Sequence, residues 1–89
     1  MGIMGIKMRI MPSSPKVNLE PIKLKIKEII ESNKGRSRSC DEEPIAFGLK
    51  AIIAFFEWPE EKELEQLETK LKSIKDVSSI QVIDMRKIA

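Results

Sequence analysis

Leu49-Lys50-Ala51-Ile52-Ile53-Ala54-Phe55-Phe56 is apolar at every position but Lys50. Read as a strand, it places Leu49, Ala51, Ile53 and Phe55 on one face, and Lys50, Ile52, Ala54 and Phe56 on the other. A strand apolar on both faces belongs in the middle of a sheet, where each face is covered. Trp58-Pro59 follows and is expected to stop it, with Pro59 opening a helix at the first-turn position that tolerates a missing N–H.

The rest of the chain supplies the neighbours such a strand needs. Gly5 to Met11 alternates, with Ile6, Met8 and Ile10 on one face and Lys7, Arg9 and Met11 on the other, the period of a strand with one buried side. Pro12-Ser13-Ser14-Pro15 cannot continue a ladder. Asn18 then reads as an N-cap, and Ile22, Ile26, Ile29 and Ile30 recur at helical spacing over residues 19–33, with Leu24 off the stripe. Gly35 is the expected left-handed exit. The charged run Arg36 to Glu43 has the character of an edge strand, since charges deter pairing with foreign strands. Leu64, Leu67, Leu71 and Ile74 mark a second helix, with Glu60, Glu61 and Glu63 near its positive end and Lys70, Lys72 and Lys75 near its negative end. Asp76 to Ser79 should turn the chain into a last strand, Ile80 to Met85, followed by a short charged tail, Arg86-Lys87-Ile88-Ala89.

The order is β-α-β-β-α-β. Right-handed crossovers make this an α+β, ferredoxin-like sandwich: a four-stranded antiparallel sheet with two helices on one face. The first and third strands should be central and the second and fourth at the edges. The 89 residues (1–89) are expected to form a single domain with one modest core.

Several classes of chemistry lack their residues. There is no histidine, so histidine-based proton transfer and metal ligation are absent, and no metal site or cofactor is expected. The one cysteine, Cys40, cannot form an internal disulfide; it suits a reducing cytoplasm and reads as a strand residue rather than a nucleophile. No apolar run approaches a membrane span. Met1 and Met4 offer two alternative starts. Charge is asymmetric: residues 1–40 hold nine Lys/Arg and three acids, net +6, whereas residues 41–89 hold seven and eleven, net −4. A basic module that binds RNA or the ribosome through Lys7, Arg9, Lys23, Lys25, Arg36 and Arg38 is one functional reading. Base-stacking platforms on this topology need aromatic rings on both central strands, however, and here the first strand has none and the third offers at best Phe56 on the face away from the helices.

The other candidate lies in Glu42-Glu43-Pro44-Ile45-Ala46-Phe47-Gly48-Leu49-Lys50. Pro44 fixes its own φ and biases Glu43 toward extended geometry, while Gly48 reaches angles closed to other residues. Restricted positions on both sides of Ile45, Ala46 and Phe47 describe a shaped connection. Its ring has two possible places, tucked against the helix layer or held out to a partner as an anchor.

The run Glu43 to Lys50 followed by Ala51-Ile52, together with Met11-Pro12-Ser13-Ser14-Pro15, Val77 to Val82 and Asp84-Met85-Arg86, resembles the translation elongation factor 1-beta family. The similarity extends over essentially the whole chain and is to the short archaeal form, which corresponds to the C-terminal domain of the eukaryotic subunit. It implies a ferredoxin-like fold and a guanine nucleotide exchange factor that promotes GDP release from a GTPase, elongation factor 1-alpha, without covalent chemistry. By the same resemblance, Phe47, with Ala46, Gly48 and the preceding Pro44 and Ile45, falls in the loop that family members press against the partner. Eukaryotic members direct a next-to-last lysine at the magnesium and phosphate site. Here the chain ends Arg86-Lys87-Ile88-Ala89, so Lys87 is third from last, and either Arg86 or Lys87 is the counterpart.

Overall fold

The computed structural model describes residues 2–89; the choice between Met1 and Met4 as the start lies outside what those residues bear on. The elements are β1 (Ile3–Pro12), α1 (Leu19–Ser32), β2 (Arg36–Pro44), β3 (Lys50–Pro59), α2 (Leu64–Lys72) and β4 (Val77–Lys87), with a tight turn, Ala46–Gly48, between β2 and β3. The sheet is antiparallel in the order β2-β3-β1-β4, so the charged strand and the last strand form its edges. This is the α+β, ferredoxin-like arrangement. Among the described residues no helix is long and apolar enough to cross a membrane.

The core lies between the sheet and the helices. Ile6, Met8 and Ile10 of β1 meet Ile52, Ala54, Phe56 and Trp58 of β3, and all seven are buried. Ile22, Ile26 and Ile30 of α1 and Leu67 and Leu71 of α2 close over them. Phe56 and Trp58 pack edge to face, their centroids 6.2 Å apart. Phe56 therefore faces the helices. Phe55, paired with Lys7, is the aromatic on the open face, the reverse of the expected assignment. Alternation in a strand apolar on both sides carries no sign; the pairing of Ile6 with Phe56 decides which set is covered.

Asn18 caps α1, its Oδ1 accepting from the Glu20 N–H at 3.1 Å. The other end departs from expectation. Lys34, with φ 70°, takes the left-handed position, and Gly35 follows it with its N–H on the Ile30 carbonyl at 2.9 Å. With the Lys34 N–H on the Glu31 carbonyl at 3.2 Å, this is the Schellman pattern. Gly35 is required by space: a Cβ there would lie 2.8 Å from both Ile30 Cγ2 and Trp58 Cε3.

Other expected boundaries also move. β3 continues through Trp58 to Pro59, and α2 begins only at Leu64, so Pro59 ends a strand instead of opening a helix. Its missing N–H is harmless at a strand terminus. Residues 73–76 turn the chain, with Asp76 at φ 70°, and β4 starts at Val77. At the other end, Arg86 and Lys87 belong to β4, paired with Gly5 and Met4, instead of forming a tail. The final residues are tied to β1 as well, with the Ile3 N–H on the Ala89 carbonyl at 2.8 Å and the Ile88 N–H on the Ile3 carbonyl at 2.9 Å.

Candidate partner-binding site

β2 and β3 stay paired to Pro44 and Lys50, and the Ile45 N–H then donates to the Leu49 carbonyl at 2.8 Å. Inside that bond, the Leu49 N–H reaches the Ala46 carbonyl at 3.2 Å, closing a turn over Phe47 and Gly48. Phe47 has φ 61° and ψ 30°, and Gly48 has φ 75°. Left-handed angles at both central residues define a type I′ turn, which matches the twist of the flanking strands and favours Asn-Gly. Gly48 suits the second position; its α-carbon has open space around it, with Pro15 Cβ 4.0 Å from where a Cβ would sit. Phe47 does not suit the first, because a left-handed L-residue costs about 1–2 kcal/mol.

The ring gains nothing inside the fold to offset that cost. Phe47 is 92% exposed, and it is the most exposed large hydrophobic residue among those described. Of its two possible places, the tucked one is excluded. Pro44, Ala46 and Gly48 are also exposed and Ile45 is half-buried, so all five residues of the connection share one surface at the tip of the hairpin.

Ion pairs hold the root of that hairpin. Lys23 of α1 donates to Glu42 Oε2 of β2 at 2.7 Å and to Glu20 Oε2 at 3.1 Å, while Lys50 of β3 lies 4.0 Å from Glu42 Oε1. The hydrogen bond from Lys23 pushes the Glu42 carboxyl below the usual glutamate range, and the same bond, followed by that to Glu20, pushes the Lys23 ammonium up. On the open face Arg9 reaches Glu43 at 4.0 Å. Beside the hairpin, Pro12, Ser14, Pro15, Asn18, Glu42 and Lys50 line a hollow of about 280 Å³. No residue pattern joins the β1–α1 loop to this end; only the closure of the sheet brings Pro15 to Gly48.

Arg86 and Lys87 stand elsewhere. β3 leaves the hairpin at Lys50 and ends at Pro59, and Lys87 lies two strands away beside Met4, itself paired with Trp58. At about 3.3 Å per residue this separates Lys87 from Phe47 by roughly 30 Å. The structure thus brings Pro44, Ile45, Ala46, Phe47 and Gly48 together and places the two cations at the opposite end of the sheet. Arg86 is paired with Asp84 at 3.2 Å and Lys87 with Glu60 at 3.5 Å, both exposed.

The cations of the RNA-binding reading do not converge. Lys7 and Arg9 rise from the open face, whereas Lys23 and Lys25 belong to α1 on the other side of the sheet. Arg9, Lys23 and Arg38 are each within ion-pair distance of a glutamate. Cys40 packs against the core, and burial pushes its thiol up, away from the thiolate.

The chain resembles known proteins over nearly its whole length. Residues 5–88 match the family model described as the EF-1 guanine nucleotide exchange domain. The chain is 40% identical over 87 residues to an elongation factor 1-beta of Methanococcus aeolicus, covering 96% of this chain and 97% of that protein. It is 41% identical over 80 residues to that of Methanocaldococcus jannaschii, covering 89% and 90%. With the Nanoarchaeum equitans protein of the same name the identity is 38% over 77 residues, covering 85% and 94%. Among solved structures, the C-terminal domain of the MgtC protein from Mycobacterium tuberculosis superposes with a TM-score of 0.73 at 14% identity, over 98% of this chain and 89% of that one. The ACT domain from the GTP pyrophosphokinase of Chlorobium tepidum gives 0.62 at 15%, over 89% and 96%. These two share the fold alone. The sequence matches, which run nearly end to end and include the hairpin that carries Phe47, show that the chain belongs to the family of EF-1 guanine nucleotide exchange domains.

Proposed function

We propose that residues 1–89 act as one exchange unit on the GTPase elongation factor 1-alpha in the cytoplasm, accelerating GDP release during translation elongation by binding alone. The observation that carries this reading is Phe47, exposed and held in a left-handed conformation that costs the fold free energy. Strain of this kind persists where the surroundings impose it, and it concentrates at ligand clamps and switches. A rigid I′ turn presents the ring with few conformations to lose on docking, so the gain from burying it goes into affinity.

An exchange factor works by linkage. If it binds the nucleotide-free GTPase more tightly than the GDP-bound form, GDP must weaken its grip by the same factor, each tenfold being about 1.4 kcal/mol. Phe47, flanked by Pro44, Ile45, Ala46 and Gly48, supplies the apolar anchor. Arg86 or Lys87 competes with magnesium for the phosphate-site ligands. Both cations are held only by exposed ion pairs, worth at most about 1 kcal/mol, so exchanging Asp84 or Glu60 for a partner group costs little. A GTPase engaging both ends must reach along the full length of the sheet.

Release of a fluorescent GDP analogue from elongation factor 1-alpha tests the reading. The chain should accelerate release in proportion to its concentration until saturation, and the Phe47→Ala variant should require a much higher concentration. Release at the intrinsic rate, whatever the amount of chain added, would refute the proposal.

A further inference from the structure

The helix layer has a second feature that the exchange reading leaves unused. α2 has nine residues against fourteen in α1, so beyond its last turn the first half of α1 faces only the corner leading into β4. An open groove of about 460 Å³ lies there. Its floor is apolar, formed by Pro21, Ile22 and Ile29 of α1 and Ile74 of the corner. Lys25 stands on the α1 wall and Lys75 on the opposite one. Among the described residues neither ammonium lies within 4.0 Å of a carboxylate, and Asp76 is the one acid lining the groove.

We infer that this groove binds an acidic amphipathic helix of another protein. Exposed Pro21 and half-buried Ile29 are just over two turns apart, about 12 Å along α1, which is about the length over which a docked helix presents apolar residues at i, i+3, i+4 and i+7. Glutamates flanking such a stripe on both sides would meet Lys25 on one wall and Lys75 on the other. A basic segment would set cation against cation. A flat lipid surface would leave the floor of the groove uncovered.

The described chain does not fill the groove itself, because Ile88 and Ala89 are hydrogen-bonded to Ile3 at the other end of β1. A second copy does not fit either. Its helix α2 carries no net charge, with Glu65 and Glu68 against Lys70 and Lys72, and buries its own apolar stripe, Leu67 and Leu71, in the core. The groove adjoins the hollow beside the hairpin, both lined in part by Asn18, but none of residues 44–48 lines it, and it does not depend on the exchange reading.

The probe is a labelled synthetic helical peptide of about 14 residues with leucines at i, i+3, i+4 and i+7, made in a glutamate-flanked and a lysine-flanked form. Amide-resolved NMR titration of the whole chain should show saturable shifts at Ile22, Lys25, Ile29, Ile74 and Lys75 with the glutamate form only. Lys25→Glu with Lys75→Glu, both exposed positions, should weaken that peptide at least about tenfold and admit the lysine form, while the Phe47→Ala variant binds the glutamate form unchanged. Equal shifts with both peptides, shifts centred elsewhere, no shifts at about 1 mM peptide (an affinity no better than about 4 kcal/mol), or preferential binding to phosphatidylglycerol vesicles would each overturn the inference.

Discussion

Replacing Phe47 by asparagine should strengthen the fold and weaken exchange at the same time. At 92% exposure the ring contributes almost no burial, so removing it costs the folded chain little. Its backbone, at φ 61°, carries the penalty of a left-handed L-residue, about 1–2 kcal/mol. Asparagine tolerates that region, and Asn-Gly is the preferred I′ dipeptide, so roughly half the penalty, about 0.5–1 kcal/mol, should be recovered. For a domain of this size that raises Tm by about 2–8 °C. Phe47→Ala keeps the Cβ and hence the strain, so its stability should stay within about 0.5 kcal/mol of the parent. With Phe47 as the proposed anchor, both variants lose the ring that would dock. Burying a phenyl group contributes about 1.5–3 kcal/mol, so the concentration giving half-maximal GDP release should rise about ten- to a hundredfold. Calorimetry and GDP-release titrations on the same preparations check the two limbs. A Phe47→Asn protein less stable than the parent, or one that saturates exchange at the parent's concentration, would refute the reasoning.

Other consequences follow from particular contacts. Gly35→Ala should destabilise by about 1–3 kcal/mol, read by urea unfolding, because its Cβ would sit 2.8 Å from Ile30 and Trp58. Glu42 has a folded pKa below its unfolded one, so the Lys23–Glu42 contact is fully present above the ordinary glutamate range and is lost as pH falls through the depressed value. Acid titration of stability should therefore show a shallower decline below the ordinary glutamate range in Glu42→Gln than in the parent. Lys87→Ala should lower the maximal GDP-release rate about ten- to a hundredfold if its ammonium makes a charge-assisted contact worth about 1.5–3 kcal/mol at the phosphate site. Arg86→Ala should do so instead if that cation has the role, and unchanged maximal rates in both would remove the electrostatic half of the mechanism.

Much of the fold could be read from the chain because pattern and topology agree. The alternation of Ile6, Met8 and Ile10, the isoleucine stripe of α1 and the charges of β2 each point to the place the element occupies. What could not be read has physical causes. Phe55 and Phe56 exchanged faces because both sides of β3 are apolar, leaving only the register with β1 to choose between them. Arg86 and Lys87 looked like a tail because charges hide a strand's alternation at a sheet edge, where side chains remain in water. Lys34 and Asp76 took left-handed positions that glycine usually marks, since the surrounding hydrogen bonds outweigh their local preference. The hairpin was recognisable as a shaped turn from Pro44 and Gly48. Whether Phe47 faced the core or solvent was not, because an apolar ring serves equally well as plug or anchor until the strands fix where the turn lies.

The linkage at the centre of the account is tested most directly by the affinity of this chain for elongation factor 1-alpha in two states, nucleotide-free and GDP-loaded. Titration calorimetry should give clearly tighter binding to the nucleotide-free form, with GDP weakened by an equal factor when the chain is bound. Equal affinity for the two forms would leave no free energy to expel the nucleotide, and would contradict the account whatever the fate of Phe47.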